Sequence, residues 1–437
     1  MKFAVAFLLL SFTQFSQALE ENKVFETVTN AFESETTCEG SDQKFWQLRM
    51  VEAPIGAVPA SYPPFRSYHL RFSQYGCEIG DKGSIVLAPG RGESSIEYFE
   101  TAIDFVNMGY SPVFVIDHRG QGFSPRLLPD QDKGHIGDFQ DYVNDFAAAT
   151  DAIESILEAE FSRYDEPLFY TSNSMGGAIG IGYFQMMGKR HPYQSAAILG
   201  PMIYVNYASF LDPKKEPLLR AALINAGNKM EFLTNMIARQ RCNNGQCEEY
   251  SSKSFAAYDP DRLQFQPDTE KIMTHSEDRF NLKKYFWNTV DWSGLVESHY
   301  QQGEIAENWS SVVVGGATNQ FARESSRQNE MMRTPTELAK MVTTPLLMIT
   351  GTRDLRAYRE YSKARQAWRK LRGLPPTDLS RHIQFCNDLN KESQEMLQKD
   401  SCTFVPLEGA FHEIYKESDV YRDVGMQLVD EFFMNSL

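Results

Sequence analysis

One serine of the chain stands in a context that suits a nucleophile. An apolar, β-prone run ends in Ser-Asn-Ser-Met-Gly-Gly at residues 172–177, and a helical pattern follows. A nucleophile at the tip of a sharp strand-to-helix turn is strained and exposed, so its neighbours must be small. Gly176 and Gly177 meet this requirement, and Ser172 stands where glycine is usual. The pattern therefore predicts Ser174 as a nucleophile, with a simple helix N-cap as the alternative.

Such a serine needs an acid and then a histidine later in the chain. Asp354 follows an apolar run that ends at Thr350, and His412 follows a β-prone run at 402–406. A histidine there can accept the serine proton and later protonate the leaving group, while the carboxylate fixes the imidazole tautomer. We therefore predict Asp354 and His412 as the partners of Ser174. The alternatives are a helix cap for the aspartate and a surface position for the histidine.

The negative charge that develops on the attacked carbonyl needs two backbone N–H donors. The first is expected from Met175, directly after the nucleophile. The second is expected from the loop Pro-Gly-Arg-Gly-Glu at residues 89–93, where two glycines allow a sharp turn. Arg91 is the predicted residue, so the oxyanion hole is assigned to the amides of Arg91 and Met175.

Asp117 and His118 form a second candidate acid–base pair, at the start of a glycine-containing loop that ends at Ser124. Two glycines after a strand make a tight loop, and the later aspartate and histidine already fit the required chain order. We therefore predict a structural role for this pair. His135 and His275 are likewise expected to be structural or lid residues.

The elements that must position these residues alternate between strand and helix. Short continuous apolar runs are typical of buried parallel strands, and apolar residues at helical spacing follow them. The predicted strands are 68–75, 84–88, 112–116, 167–171, 196–199, 345–350 and 402–406, and the predicted helices are 95–108, 141–157, 176 onward and 420–433. This order predicts an α/β fold with a mostly parallel central sheet and helices on both faces.

The alternation stops near Pro201 and resumes near Pro345, and the stretch between them has helical patches but few strand signals. An irregular helical block inserted into a parallel sheet predicts a lid over a substrate cleft. The predicted organisation is a signal peptide at 1–18, an N-terminal extension at 19–64, a first core part at 65–200, the lid at 201–340 and a second core part at 341–437.

The first residues read as an export signal. Lys2 supplies a positive charge, residues 3–10 are apolar, and small residues at Ser16 and Ala18 suit a signal peptidase, so cleavage is expected after Ala18. The rest of the sequence has no run of about 18 continuous apolar residues, so no transmembrane anchor is predicted. The predicted location is therefore the periplasm or the extracellular medium.

Six cysteines agree with an oxidising compartment. Their pairing is not determined by sequence, but proximity favours three pairs. In order of preference these are Cys242 with Cys247, Cys386 with Cys402, and Cys38 with Cys77. A zinc site is disfavoured because no C-x-x-C pair is present and no histidine is suitably spaced.

The net charge of −15 limits the partners of the chain. Nothing would neutralise a phosphate backbone, so a nucleic-acid partner is excluded, and electrostatic docking on an anionic membrane is disfavoured. Any membrane contact is expected to be apolar and transient, through the lid. The predicted partner is a small amphiphilic lipid substrate, and no metal or organic cofactor is implied.

Taken together, five segments resemble the lysophospholipase and monoacylglycerol-lipase branch of the α/β-hydrolases, and especially bacterial lysophospholipases. They are residues 89–94, 117–124, 172–177, 273–280 and 409–413. The resemblance implies an α/β-hydrolase fold, the triad Ser174, Asp354 and His412, and hydrolysis of a single-chain acyl ester. Pro89 stands where much of the wider branch has histidine. An export signal and six cysteines are also not expected of a cytoplasmic member.

Three functions are compatible with these residues. The leading hypothesis is hydrolysis of a lysophospholipid or monoacylglycerol through an acyl-enzyme. A general esterase or peptidase of the same fold is the second, because related folds also cleave amides and other esters. A non-catalytic lipid-binding protein is the third, although such a protein should have lost a triad member.

Overall fold

The sheet is built from short runs of buried apolar residues. The computed structural model describes residues 23–33, 37–38, 44–56, 68–162, 165–204, 239–249, 274–299, 312–354 and 379–437. The strands in these ranges are β1 (Trp46–Glu52), β2 (His69–Tyr75), β3 (Ser84–Ala88), β4 (Val113–Asp117), β5 (Leu168–Asn173), β6 (Tyr193–Leu199), β7 (Leu346–Gly351) and β8 (Cys402–Leu407). They form one eight-stranded sheet in the order β1-β2-β4-β3-β5-β6-β7-β8.

Strand direction in this sheet determines where functional loops can gather. β2 pairs antiparallel with β1 and β4, whereas every other pair of neighbouring strands in the sheet is parallel. The carboxyl ends of β3, β5, β6, β7 and β8 therefore meet at one edge, where ligand sites of open α/β sheets collect. The predicted mostly parallel sheet is confirmed.

Helices cover both faces of the sheet. They are α1 (Val24–Glu33), α2 (Phe99–Asn107), α3 (Phe139–Phe161), α4 (Met175–Met187), α5 (Glu277–Asn288), α6 (Ser293–His299), α7 (Asn319–Met332), α8 (Pro335–Lys340), α9 (Ser380–Leu397) and α10 (Asp419–Met434). Ile85 and Leu87 of β3 belong to one buried cluster, and Val86 and Ala88 belong to the other. Because strand side chains alternate between faces, two apolar cores separated by the sheet follow.

The N-terminal part contributes a strand that the sequence patterns did not predict. β1 pairs along its full length with β2, from Trp46 opposite Tyr75 to Glu52 opposite His69. β1 is an edge strand whose residues are largely half-buried or exposed, so its apolar signal is weak. The stretch at 44–56 is thus joined to the central sheet. The predicted signal peptide lies outside the described residues.

The predicted lid lies between β6 and β7. Its described parts, 201–204, 239–249, 274–299 and 312–340, contain helices and one isolated bridge, between Gly134 and Ala317. The remainder, which includes most of its apolar side chains, lies outside the described residues. Among the helices that the structure describes, none is long and apolar enough to cross a membrane.

Two of the three predicted cysteine pairs are disulfides: Cys38–Cys77 and Cys386–Cys402. The third prediction is wrong, because Cys242 and Cys247 are free thiols. The Cys242 Sγ lies 3.4 Å from Gln320 Oε1, to which it donates. Burial and then the neighbouring Cys247 thiol raise the pKa of Cys242, so the two thiols lie close together without a bond between them.

Removing the Cys38–Cys77 bond is expected to lower the free energy of unfolding by about 4 kcal/mol, and removing Cys386–Cys402 by about 3 kcal/mol. The bonds close loops of 39 and 16 residues, and the longer loop restricts the unfolded chain more. Urea unfolding of the paired Cys→Ala variants measures both values. Cys242→Ala removes a free thiol and serves as the control, and it should produce neither of these losses in the free energy of unfolding. Equal losses for both bonds would contradict the loop-length argument.

Candidate active site

The predicted nucleophile occupies a one-residue turn. β5 ends at Asn173 and α4 begins at Met175, so Ser174 alone joins them, with φ 51° and ψ −111°. A side chain at positive φ is strained by about 1–3 kcal/mol and persists only where the surroundings hold it. Its N–H donates to Leu199 O at 2.9 Å, and Met202 N–H donates to its carbonyl at 2.8 Å. The Ser174 side chain makes no capping hydrogen bond, so the N-cap alternative is not supported.

Two glycines allow the turn to sit this close to the sheet. A Cβ at Gly176 would lie 2.0 Å from Ala88 O, at the end of β3. A Cβ at Gly177 would lie 2.7 Å from Pro201 Cβ. Both distances are shorter than a Cβ atom tolerates, so the start of α4 depends on these two positions lacking side chains.

The predicted acid and histidine are hydrogen bonded to each other. Asp354 follows β7, His412 follows β8, and His412 Nδ1 lies 2.7 Å from Asp354 Oδ2. Asp354 is 0% exposed and His412 is 5% exposed. The two loops are also joined through the backbone, since Arg353 N–H donates to Ala410 O at 2.9 Å. A buried carboxylate in this position favours the tautomer with the proton on Nδ1.

Gly200, directly after β6, lies against this pair. A Cβ at Gly200 would lie 3.2 Å from His412 Nδ1 and 3.3 Å from Asp354 Oδ2. The preceding residue, Leu199, accepts the hydrogen bond from the Ser174 N–H. The Ser174 turn and the Asp354–His412 pair therefore both contact the carboxyl end of β6, and their action as a catalytic triad stays a prediction.

Gly200→Ala is expected to lower kcat about 10-fold to 100-fold with a smaller effect on KM, because the methyl group displaces the imidazole and small misplacements are costly. Ester hydrolysis and thermal unfolding measure the two effects. Gly245→Ala is the matched control, because Gly245 also has positive φ, of +80°, but no atom within 4 Å of the added Cβ. If both variants lose activity equally, the contact with His412 is not the cause.

The loop predicted to form the oxyanion hole, at residues 89–93, follows β3 and contacts the predicted lid. The Gly90 N–H donates to the Glu93 carboxylate, and the Gly92 N–H donates to Gln121 Oε1. The Arg91 guanidinium donates to Gly315 O at 2.9 Å, so this side chain joins the loop to the C-terminal part of the predicted lid. Met175 is the first residue of α4, and the first N–H groups of a helix have no partner within the helix.

The second candidate pair makes hydrogen bonds that agree with the structural role predicted for it. Asp117 accepts hydrogen bonds from Ser95 N at 2.7 Å and Ser95 Oγ at 2.6 Å, and burial raises its pKa to about 7. His118 Nε2 lies 2.9 Å from Pro89 O, and burial lowers its pKa to about 4. His118 thereby contacts the loop at 89–93, and Asp117 contacts Ser95, just after that loop. His135 contacts Thr318 Oγ1 at 3.1 Å, beside the insertion.

Two further histidines, His382 and His275, contact residues near the Asp354–His412 pair. His382 on α9 is buried, its Nε2 lies 3.0 Å from Pro201 O, and burial lowers its pKa to about 4. Sequence reasoning missed His382 because α9 itself was not predicted. His275 packs its ring on Phe411, at 4.1 Å between centroids, and its Nδ1 lies 3.0 Å from Glu417 Oε1. It thereby ties the insertion to the residue before His412.

These groups are suited to acyl transfer. The turn supplies a hydroxyl, the imidazole supplies a base oriented by a carboxylate, and the adjoining helix and loop supply backbone donors. Within the described ranges, no group of three or more His, Cys, Asp or Glu side chains could hold a metal ion.

Known proteins are similar to this chain over most of its length. A family model described as serine aminopeptidase S33 matches residues 80–265. The chain is 25% identical over 420 residues to lysophospholipase L2 of Escherichia coli K12, and the alignment covers 95% of each protein. A protein of Haemophilus influenzae named "probable lysophospholipase L2" is 36% identical over 99 residues, which are 23% of this chain and 29% of that protein.

One solved structure has a fold similar to that of this chain. It is a soluble variant of the monoglyceride lipase of Saccharomyces cerevisiae in complex with a substrate analogue, with a TM-score of 0.51 and 16% identity. The match covers 87% of this chain and 96% of that one. At this identity the likeness concerns the fold alone. The chain therefore has an α/β-hydrolase fold, and its sequence is similar to proteins named as lysophospholipases, which supports the lysophospholipase and monoacylglycerol-lipase branch of that family.

Proposed function

We propose that the chain hydrolyses the carboxylic ester of a single-chain lipid, a lysophospholipid or a monoacylglycerol, and releases a fatty acid. The relatives named as lysophospholipases and a monoglyceride lipase support an ester-cleaving lipid hydrolase. The observation that carries the proposal is the His412–Asp354 hydrogen bond of 2.7 Å. This pair lies against Gly200, the residue after Leu199, whose carbonyl accepts from the Ser174 N–H.

In the proposed mechanism, His412 Nε2 takes the hydroxyl proton while Ser174 Oγ attacks the ester carbonyl. The negative charge on the carbonyl oxygen is stabilised by the backbone N–H groups of Arg91 and Met175. The C–O bond then breaks, the imidazolium protonates the departing alcohol, and an acyl ester on Ser174 remains. His412 next activates water, which releases the fatty acid and restores the serine. Asp354 keeps the imidazole oriented throughout.

We also propose that the chain is exported and meets its substrate outside the cytoplasm, in the periplasm or the medium. The two disulfides are compatible with export, since such bonds persist in oxidising compartments. The strongly negative charge disfavours electrostatic binding to anionic membranes, so transient contact is assigned to apolar residues of the lid.

Hydrolysis of an amide is a second candidate, because the matching family model is described as a serine aminopeptidase. The same serine, histidine and carboxylate would cleave either bond. The identity of the substrate therefore has to be measured.

The deciding experiment compares lysophosphatidylcholine, a monoacylglycerol and an aminoacyl amide as substrates of the mature chain. We expect fatty-acid release from at least one lipid, with kcat/KM well above that for the amide. The ratio between the two lipids selects the head group. Turnover of the amide alone would replace the lipid proposal with the peptidase.

A further inference from the structure

A cluster of charged side chains lies behind the catalytic loops, and the mechanism above does not use it. We call it the charge cluster. It consists of Glu93, Glu97, Lys283, Glu413 and Lys416. Four of these residues are buried, and the Lys283 side chain is 15% exposed. Removing charges from water is costly unless each is paired, so their arrangement requires an explanation.

The Glu93 carboxylate touches two catalytic segments at once. It accepts a hydrogen bond from the Gly90 N–H, one residue before the proposed donor Arg91. It also accepts from the Asn173 Nδ2, at 3.3 Å, one residue before the nucleophile. The Tyr98 hydroxyl, in the helical turn Ser95–Tyr98, donates a third bond to the carboxylate at 2.6 Å.

Lys416 adds the third catalytic segment. It lies in the short helical turn Ile414–Lys416, four residues after His412, and its Nζ is 3.2 Å from Glu93 Oε1. The same ammonium group is 3.0 Å from Glu97 Oε2 and lies over the Tyr98 ring. One ion pair therefore connects the loop after β3, the turn after β5 and the loop after β8.

Lys283, on α5 in the predicted lid, is the remaining member of the charge cluster. Its Nζ lies 3.0 Å from Glu413 Oε1 and 3.4 Å from Glu97 Oε2. Burial alone would raise the pKa of Glu93, but the ammonium groups of Lys416 and Lys283 hold that pKa well below its ordinary value. Burial would lower the pKa of Lys416, and the Glu93 and Glu97 carboxylates raise it instead. Both groups are therefore charged at neutral pH.

We propose that Glu93 and Lys416 are positioning residues that hold the oxyanion loop and the His412 loop in fixed relation to the Ser174 turn. The pair touches no substrate. Its contribution is geometric, because backbone donors and a general base act only when they are placed within a fraction of an ångström. This inference rests on the proposed function and deepens it.

The test uses Glu93→Gln, which is nearly isosteric, Lys416→Met, and the double variant. For each single variant kcat for lysophosphatidylcholine should fall about 10-fold to 100-fold with KM changed less than about threefold. The double variant should lose no more than the worse single variant, because the two residues act through one contact. Asp145→Asn is the control, because it alters a buried pair, Arg119 Nε to Asp145 Oδ2 at 2.8 Å, in which neither residue belongs to these loops.

A second readout separates this inference from the substrate assignment. A fluorophosphonate probe phosphonylates an activated serine with loss of fluoride and needs no lipid recognition. Labelling of the Glu93→Gln protein should be slowed about as much as kcat, while Asp145→Asn labels at the wild-type rate. If the wild type is labelled but hydrolyses no lipid, the proposed function fails and the labelling rates still test the positioning pair.

Unchanged labelling and kcat in Glu93→Gln would overturn the inference, as would losses that simply add in the double variant. Urea unfolding ensures that the comparison is made on folded protein. Should Lys416→Met fail to fold, Glu93→Gln alone decides, because it retains the shape of the side chain. Equal loss of activity in Asp145→Asn would show a general effect of destabilisation and would also overturn it.

Discussion

Ser174→Ala is expected to lower kcat/KM for ester hydrolysis by about 10⁴-fold or more, since removing any member of such a triad costs about this much. The Ser174 hydroxyl makes no capping hydrogen bond, so its loss should leave the turn and helix α4 in place. The free energy of unfolding should change by less than about 1 kcal/mol. Fatty-acid release and urea unfolding of the same preparation measure both quantities.

Ser195→Ala is the matched control for this variant. Ser195 lies on β6, is fully buried, and its Oγ has no hydrogen-bond partner among the described residues. The Ser195→Ala substitution also removes one hydroxyl oxygen but leaves the turn at Ser174 unchanged, so activity should be retained. Wild-type activity in Ser174→Ala would show that another residue is the nucleophile and would refute the proposed mechanism at its first step.

Asp354→Asn is expected to lower kcat by about 10³-fold to 10⁴-fold with little change in KM. The carboxylate accepts from His412 Nδ1 at 2.7 Å, whereas an asparagine amide can turn its N–H₂ toward that nitrogen. The imidazole would then carry its proton on Nε2 and could not accept the proton of Ser174. The measurement is the pair of kcat and KM for lysophosphatidylcholine, together with the rate of fluorophosphonate labelling.

Asp145→Asn again provides the comparison, because it also neutralises a fully buried aspartate that is bonded to a basic side chain. It should lose stability and keep its kcat. A kcat for Asp354→Asn within about threefold of wild type would mean that a different group orients His412. Loss of labelling in Asp354→Asn, with retained folding, would support the role proposed for the carboxylate.

Local patterns predicted much of the fold. β3, β4, β5 and β7 are short continuous apolar runs because both faces of a central parallel strand are buried. The turn at Ser174 was equally recognisable, because only small residues permit that approach of helix to sheet. β1 and α9 were missed. An edge strand gains its stability from pairing with β2, and α9 carries only a sparse apolar face, so neither has a strong local signal.

The amino-acid sequence by itself determined the fold class, the order of the core strands and the identity of the candidate serine, histidine and acid. These features depend on periodicity and chain order, which are local properties. Tertiary structure alone decided which groups meet. Gly200 against His412, His382 against Pro201, and Lys416 against Glu93 join residues far apart in the chain. The thiols of Cys242 and Cys247 show the converse, because closeness in the sequence alone does not form a bond between them.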